Sequence, residues 1–168
     1  MKEVNLNRDL IHLFSLNNAF AYKIPDPPKN NVLNASKRPF DGLARFPSPI
    51  NDFYFESKLI KGEIKSFSTK RVQEHQSESL RKLKQNGGRA AIILGCWIPR
   101  QDYWFMVFDI EFILKFRGLS IKKKDIYSLC QNHYNISLRS KDTDLFKPEW
   151  LVEKMITSLP GDSDGSLY

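Results

Sequence analysis

Cysteine and histidine are scarce in this sequence of 168 residues, which contains two cysteines, Cys96 and Cys130, and three histidines. Two cysteines cannot build the disulfide framework of a small secreted protein, and we expect both thiols to be reduced. No cluster of cysteine and histidine has the spacing of a zinc site. The sequence also contains no Gly-rich nucleotide-binding turn and no residues that form a nucleophilic triad. These absences exclude several large classes of functional site.

Long apolar runs are missing as well. No segment approaches twenty consecutive apolar residues, so the sequence predicts no membrane-spanning helix and no membrane partner. The first seven residues show no apolar stretch with a cleavage site, and we therefore expect an intracellular, cytoplasmic protein. The length favours a single domain with a real core. We expect this domain to span residues 1–160 and to be followed by a flexible C-terminal tail at 161–168.

Positive charge, by contrast, is in excess, with a net charge of +7 and a pI near 9.4. Between Lys58 and Arg89, nine Lys or Arg residues accompany three Glu, which is a local excess of six positive charges. A basic surface of this kind favours a polyanionic partner, most often nucleic acid. A solvated helix face rich in Lys and Arg is the alternative. The residues that we assign to nucleic-acid binding are Lys37, Arg38, Lys65, Lys70, Arg71 and His75.

Most of the predicted strands precede most of the predicted helices along the chain. The pattern predicts a short amphipathic helix over 6–16, strands over 19–24, 40–45, 53–58, 90–97 and 103–110, and helices over 68–85, 111–117, 125–133 and 148–159. The long helix is expected to begin with Ser68 or Thr69 as its cap and to run to Gln85, where Asn86-Gly87-Gly88 ends it. This order favours an α/β or α+β fold.

The predicted strand 53–58 sets an acid and a base into an aromatic run. Successive side chains of a strand point to opposite faces, so Glu56 and Lys58 should share one face with Tyr54. Charges on an apolar strand are costly to bury unless they are paired or bind a metal. The spacing therefore favours a metal ligand beside a cation, although Glu-x-Lys triplets also occur on solvated strand faces.

The long predicted helix carries a glutamine on its apolar side. Gln76 lies four residues from both Val72 and Leu80, on the same stripe. A buried amide needs hydrogen-bond partners, and the nearest polar groups on a sheet beneath this helix would be Glu56 and Lys58. A solvated position at the edge of the stripe is the alternative.

Asp41 and Glu56 are expected at the ends of neighbouring strands, where two carboxylates can hold Mg²⁺ together with waters and a phosphate oxygen. Lys58 would orient or help to deprotonate a water, and Gln76 would fix Lys58 or that water. We therefore assign catalysis to Asp41, Glu56, Lys58 and Gln76, and metal binding to Asp41 and Glu56. Asp26, which lies between prolines, is the alternative to Asp41.

Several segments together resemble a known family. They are 22–25, 34–42 with its Arg-Pro-Phe-Asp-Gly ending, 52–58 with Glu-Ser-Lys, Phe67, the His75-Gln76 pair, the Gly87-Gly88 pair and the apolar strand 90–94. The arrangement resembles the PD-(D/E)xK nuclease superfamily and, within it, the RecU-type Holliday-junction resolvases, over roughly residues 20–117 of the chain. This resemblance implies an α/β fold with a restriction-endonuclease-like core, in which a central mixed β-sheet is flanked by helices.

The same resemblance implies a structure-specific endodeoxyribonuclease that acts in DNA recombination and DNA repair. Such an enzyme would resolve Holliday junctions by paired phosphodiester cleavage, with Mg²⁺ as the cofactor and Mn²⁺ as a substitute. Its partners would be branched DNA and a second copy of the chain, because symmetric cutting of two strands needs two sites and a homodimer supplies them.

Two features depart from the pattern of that family. RecU-type proteins have a long stalk before the catalytic aspartate, whereas about ten residues, 28–37, occupy that place here. The opening helix of the family often carries an acid that faces the site, for which Glu3 and Asp9 are the candidates. A restriction-like or repair nuclease on duplex or flap DNA therefore stays an alternative. So does a non-catalytic nucleic-acid-binding protein in which Glu56 and Lys58 form a surface pair.

Overall fold

The structure is a computed structural model that describes residues 3–16, 18–26, 37–47, 52–62, 64–97, 104–123, 125–126 and 133–134. Its elements are α1 (Glu3–Leu16), β1 (Phe20–Lys23), β2 (Gly42–Arg45), β3 (Asp52–Lys61), β4 (Ser66–Ser68), a 3₁₀ turn (Thr69–Arg71), α2 (Glu74–Gln85), β5 (Arg89–Trp97), β6 (Trp104–Asp109), α3 (Ile110–Lys115), β7 (Ser120–Lys122) and β8 (His133–Tyr134).

Six strands form one mixed sheet in the order β1-β2-β3-β5-β6-β8. Strands β3 and β5 are parallel, and every other neighbouring pair in this sheet is antiparallel. A parallel pair needs a crossover, and α2 lies in the connection between β3 and β5. The predicted central mixed sheet with flanking helices is therefore confirmed. Strands β4 and β7 pair separately as a small two-stranded sheet.

The core on one face of the sheet is built on α1. Leu6, Leu10, Leu13 and Phe14 are buried, with the spacing of one helix face. The Phe14 ring contacts the rings of three other phenylalanines, with centroids 5.4 to 5.9 Å apart. Gly95 of β5 lets α1 approach closely, because a Cβ at that position would stand 2.6 Å from a methyl carbon of Leu6. Large aromatic area and close backbone approach together fix α1 on the sheet.

The opposite face of the sheet is covered by α2 and α3. Leu80 of α2 and Ile113 of α3 belong to one buried apolar cluster with Ile92 and Leu94 of β5. Alternate residues of β5, such as Ile93, belong to the α1 cluster instead. The prediction of a central strand that is covered on both faces is confirmed by this division.

The predicted start of the long helix is wrong. Residues 66–68 form β4, and the hydroxyl of Thr69 donates to the carbonyls of Phe116 and Leu119 at 2.8 and 3.0 Å instead of capping a helix. Helix α2 begins at Glu74, with Gln73 as its N-cap. Its end agrees with the prediction, since Gly87 follows with a positive φ of 82°.

The predicted helix over 125–133 is wrong at its end, because His133 pairs with Met106 as part of β8. The predicted helix over 148–159, the tail at 161–168 and Cys130 lie outside the described residues. Cys96 is a free, buried thiol, and burial raises its pKa to about 11. None of the described helices is long and apolar enough to cross a membrane.

Replacement of Phe14 by alanine should lower the free energy of unfolding by about 3–5 kcal/mol, because a fully buried ring leaves a cavity among other aromatic rings. Phe20→Ala is the matched control, since the Phe20 side chain is 72% exposed and its loss should change stability by less than about 0.5 kcal/mol. Urea denaturation of both variants measures the difference. Similar values for the two variants would contradict the assigned core.

Candidate active site

Asp41 lies immediately before β2 and is held by the strands on both sides. Its backbone N–H donates to the carbonyl of Phe55 at 3.1 Å, and its carbonyl accepts from the N–H of Ile24 at 2.8 Å. The side chain is buried, and Oδ2 accepts from the backbone N–H and the hydroxyl of Ser57 at 2.9 and 2.8 Å. The guanidinium of Arg38 donates to the other oxygen, Oδ1. Asp41 is therefore an ionic group with a fixed orientation.

Glu56 and Lys58 lie side by side on β3 and face α2, as the alternation predicted. They are 1% and 8% exposed, so the alternative of a solvated surface pair is excluded by their burial. Lys58 Nζ donates to Glu56 Oε1, and Gln76 Nε2 of α2 donates to the same oxygen at 2.8 Å. Glu56 Oε2 is buried and has no hydrogen-bond partner among the described residues.

The site combines two acidic and two basic side chains. Asp41 and Glu56 are the acidic groups, and Arg38 and Lys58 are their respective basic partners. Burial raises the pKa of Glu56 to about 7, and the nearby charge of Asp41 raises it further, whereas Lys58 acts in the opposite direction. A carboxyl group that is buried and beside a second carboxylate is typical of a functional site.

Gln76 contributes to both the helix and the site. Its Oε1 accepts from the backbone N–H of Gln73 at 3.1 Å, which completes a capping box at the start of α2. Its Nε2 is then directed at Glu56. The prediction that the buried amide would meet the charged pair on β3 agrees with this geometry, although the partner that it contacts is Glu56 and not Lys58.

Mg²⁺ suits the donor set of this site. Among the described residues no group of three or more His, Cys, Asp or Glu side chains could hold a metal. Mg²⁺, however, is usually held by one or two carboxylates, with waters and phosphate oxygens as the remaining ligands. The buried Glu56 Oε2 without a partner is an oxygen that such a cation would satisfy. Asp41 and Glu56 are the residues that would hold it.

The alternative aspartate lies on the surface. The Asp26 side chain is 69% exposed and pairs with Lys23 at 3.6 Å and with Arg38 at 2.8 Å. No contact joins it to Glu56 or Lys58 among the interactions of the described residues. Asp41, in contrast, is buried like Glu56, and its charge helps to raise the pKa of Glu56.

The residues assigned to nucleic-acid binding fall into two groups. Lys37, Lys65 and Lys70 are exposed, and so is Arg71 of the second group. The other three have contacts within the chain: Arg38 bonds to Asp41, His75 Nε2 lies 3.0 Å from the carbonyl oxygen of Arg38, and Arg71 donates to the carbonyl of Leu59 at 2.9 Å. The assignment of these six residues to DNA stays a prediction.

The opening helix contributes an amide, which the sequence reasoning missed. Asn7 is buried, and its Oδ1 lies within hydrogen-bond distance of the Ser57 hydroxyl, which also contacts Asp41. The Ser57 hydroxyl carries one proton and can donate it to Asp41 or to Asn7, not fully to both. Both contacts are satisfied when the Asn7 amide is turned over, so that its nitrogen donates to Ser57 while Ser57 donates to Asp41. A polar residue between Leu6 and Leu10 on the buried side of α1 was the available signal. Asp9, one of the two acids expected here, pairs with Arg8 instead.

No protein-family model and no curated protein matches this chain. A solved structure with a similar fold is that of Hjc, a Holliday junction resolvase from the hyperthermophilic archaeon Archaeoglobus fulgidus. The match covers 75% of this chain and 92% of Hjc, with 18% sequence identity and a TM-score of 0.48. The predicted restriction-endonuclease-like core agrees with the observed mixed sheet and its flanking helices.

Ser57→Ala should lower the free energy of unfolding by roughly 1–3 kcal/mol, because Asp41 loses a buried hydrogen bond and Asn7 loses its partner. Ser66→Ala, at an exposed position of β4, is the control and should change stability by less than about 0.5 kcal/mol. Chemical denaturation measures both. If Ser57→Ala were as stable as the control, the network from α1 to Asp41 would contribute nothing to the fold.

The raised pKa of Glu56 predicts a pH-dependent difference between the wild type and Glu56→Gln. The folded state binds this proton up to about pH 7, whereas the unfolded state releases it near 4.5. The contribution of Glu56 to stability should therefore decline as the pH rises from about 4.5 to 7, by on the order of 3 kcal/mol.

The measurement is the free energy of unfolding of both proteins in EDTA between pH 4.5 and 8. The wild type should lose stability relative to Glu56→Gln over this range. A difference between the two proteins that stays constant with pH would refute the raised pKa.

Proposed function

We propose that this protein is a Mg²⁺-dependent DNA endonuclease whose catalytic residues are Asp41, Glu56, Lys58 and Gln76. The observation that carries the proposal is the buried Glu56–Lys58 pair on β3, in which one oxygen of Glu56 has no hydrogen-bond partner among the residues that the structure describes. A protein that needed only a stable core would gain from apolar residues at these positions, because buried charges are costly even when they are paired. The presence of these charged residues together in the buried part of the sheet supports a chemical function.

The chemistry follows from what each side chain can do. Bound Mg²⁺ would stabilise the negative charge that builds on a phosphate during hydrolysis. Asp41 and Glu56 would hold the cation, and Ser57 keeps Asp41 in one orientation. Lys58 Nζ donates to Glu56 Oε1, and from this position the ammonium can orient an attacking water. Gln76 holds the same oxygen from α2, which fixes the direction of the Glu56 carboxylate.

DNA is the proposed substrate. The net charge of +7 and the exposed Lys37, Lys65 and Lys70 favour a polyanion. Branched DNA, cut by a homodimer at paired positions, is proposed from the resemblance to RecU-type resolvases. The short segment at 28–37, where those proteins have a stalk, favours duplex or flap DNA as the second candidate substrate.

The experiment compares cleavage of four-way junction, flap, duplex and single-stranded DNA, each with Mg²⁺ and with EDTA. Asp41→Asn should abolish cleavage, and Asp26→Asn should retain it, since Asp26 is exposed and does not reach Glu56. Preferential paired nicking of the junction would support a resolvase, and preferential cleavage of flap or duplex DNA would support the second candidate. No cleavage of any substrate in Mg²⁺ or Mn²⁺ would refute the proposed enzyme.

Substitutions of Lys58 test whether this residue has a catalytic role or only a structural one. Lys58→Met should lower the single-turnover cleavage rate by about a hundredfold or more, with DNA affinity little changed, because the ammonium acts on the chemical step. Lys58→Arg should not restore the rate, since a planar guanidinium places its N–H donors differently from an ammonium. The measurements are single-turnover cleavage and the melting temperature of each variant. An active Arg variant would indicate that Lys58 serves only as the ionic partner of Glu56.

A further inference from the structure

Arg38 pairs with the Asp41 oxygen that is more open to another ligand. Oδ2 of Asp41 already accepts two hydrogen bonds from Ser57, whereas among the described residues Oδ1 accepts only from the Arg38 guanidinium. A cation bound to Asp41 would therefore use Oδ1 and meet Arg38 there. Two cationic groups cannot share one carboxylate oxygen in a buried site without strong repulsion. Arg38 and a divalent cation are in this sense competitors.

The backbone of Arg38 is anchored, and its side chain reaches outward from that anchor. His75 Nε2 of α2 lies 3.0 Å from the carbonyl oxygen of Arg38, which ties this segment to the helix that carries Gln76. The guanidinium bridges the buried Asp41 and the exposed Asp26, with Nη1 2.8 Å from Asp26 Oδ1. Its side chain is 20% exposed, so it reaches the solvent edge of the site. A rotation of this side chain away from Asp41 leaves the backbone contact intact.

The hydrogen bonding of Arg38 is incomplete in its inward position. Nε is buried and has no partner among the described residues. A guanidinium offers five N–H donors in a planar fork that matches a phosphate, and two parallel bonds to phosphate oxygens satisfy it better than single bonds to two aspartates. A DNA phosphate at the edge of the site is therefore a better partner for Arg38 than Asp26.

We propose that Arg38 is an internal counter-ion of Asp41, which moves to a DNA phosphate when a divalent cation takes Asp41, so that the cation and DNA bind cooperatively. The proposal rests on the proposed nuclease function and assigns a new role within the same site. It follows that the free protein binds the cation weakly, because the Arg38 guanidinium already occupies Asp41 Oδ1. When DNA binds, the negative charge of its phosphate offsets the positive charge of the bound cation, and the same phosphate becomes the new partner of Arg38.

The test measures the affinity of the protein for Mn²⁺ in the absence of DNA. Electron paramagnetic resonance gives the concentration of free Mn²⁺ during the titration. Arg38→Gln removes the charge and should bind Mn²⁺ at least about tenfold more tightly than the wild type. Arg38→Lys keeps the charge and should bind it as weakly as the wild type. Arg45→Gln is the matched control, because Arg45 forms a similar ion pair with Asp52 at 2.6 and 2.8 Å on the exposed surface. This control should leave Mn²⁺ affinity unchanged.

The second arm measures the affinity for a four-way junction in Ca²⁺ and in EDTA. Wild-type protein should bind the junction more tightly in Ca²⁺, by about tenfold, and Arg38→Gln should lose most of that gain. Unchanged or weakened Mn²⁺ binding by Arg38→Gln, or an equal gain in both proteins, would overturn the counter-ion role while leaving the nuclease intact. Absence of Mn²⁺ binding in every variant, with and without DNA, would instead overturn the metal-dependent function itself and this role with it.

Discussion

The burial of the Glu56 carboxylate is the constraint on which the rest of this structure depends. Removing a carboxylate from water is costly unless its oxygens find partners. Lys58 and Gln76 both serve one oxygen, and they come from different elements, so α2 must lie over β3 in one register. The apolar residues of α2 and β5 supply the free energy that holds the helix there. Packing and polar contacts therefore determine the same geometry.

Much of the sheet was predictable because its signals are local. Alternation along β3 requires only that successive side chains point to opposite faces, and it correctly separated Glu56 and Lys58 from Phe55. The uninterrupted apolar run of β5 indicated burial on both faces, which the two clusters confirm. The inward position of Gln76 followed from helix periodicity combined with the need of a buried amide for partners. Each of these inferences used only neighbouring residues and one physical rule.

The parts that escaped prediction depend on contacts between distant residues. Thr69 has the chemistry of a helix cap, but carbonyls 47 and 50 residues away accept its hydroxyl proton, and the helix starts later. Asn7 looked like a polar residue on an amphipathic helix, because nothing near it in sequence indicates Ser57 as its neighbour. Arg38 looked like one more basic surface residue. Its position against Asp41 depends on a segment whose backbone is held by His75.

The network that joins Asn7, Ser57 and Asp41 has a consequence for the chain during synthesis. The Asn7 contact with Ser57 spans 50 residues, and that between Glu56 and Gln76 spans 20. Such contacts form only after large loops have closed, which makes them late events in folding. A chain that has left the ribosome only as far as β3 already carries both carboxylates and Lys58, but Gln76 and α2 are absent. The partners of the buried Glu56 carboxylate are therefore complete only once α2 has been added to the chain.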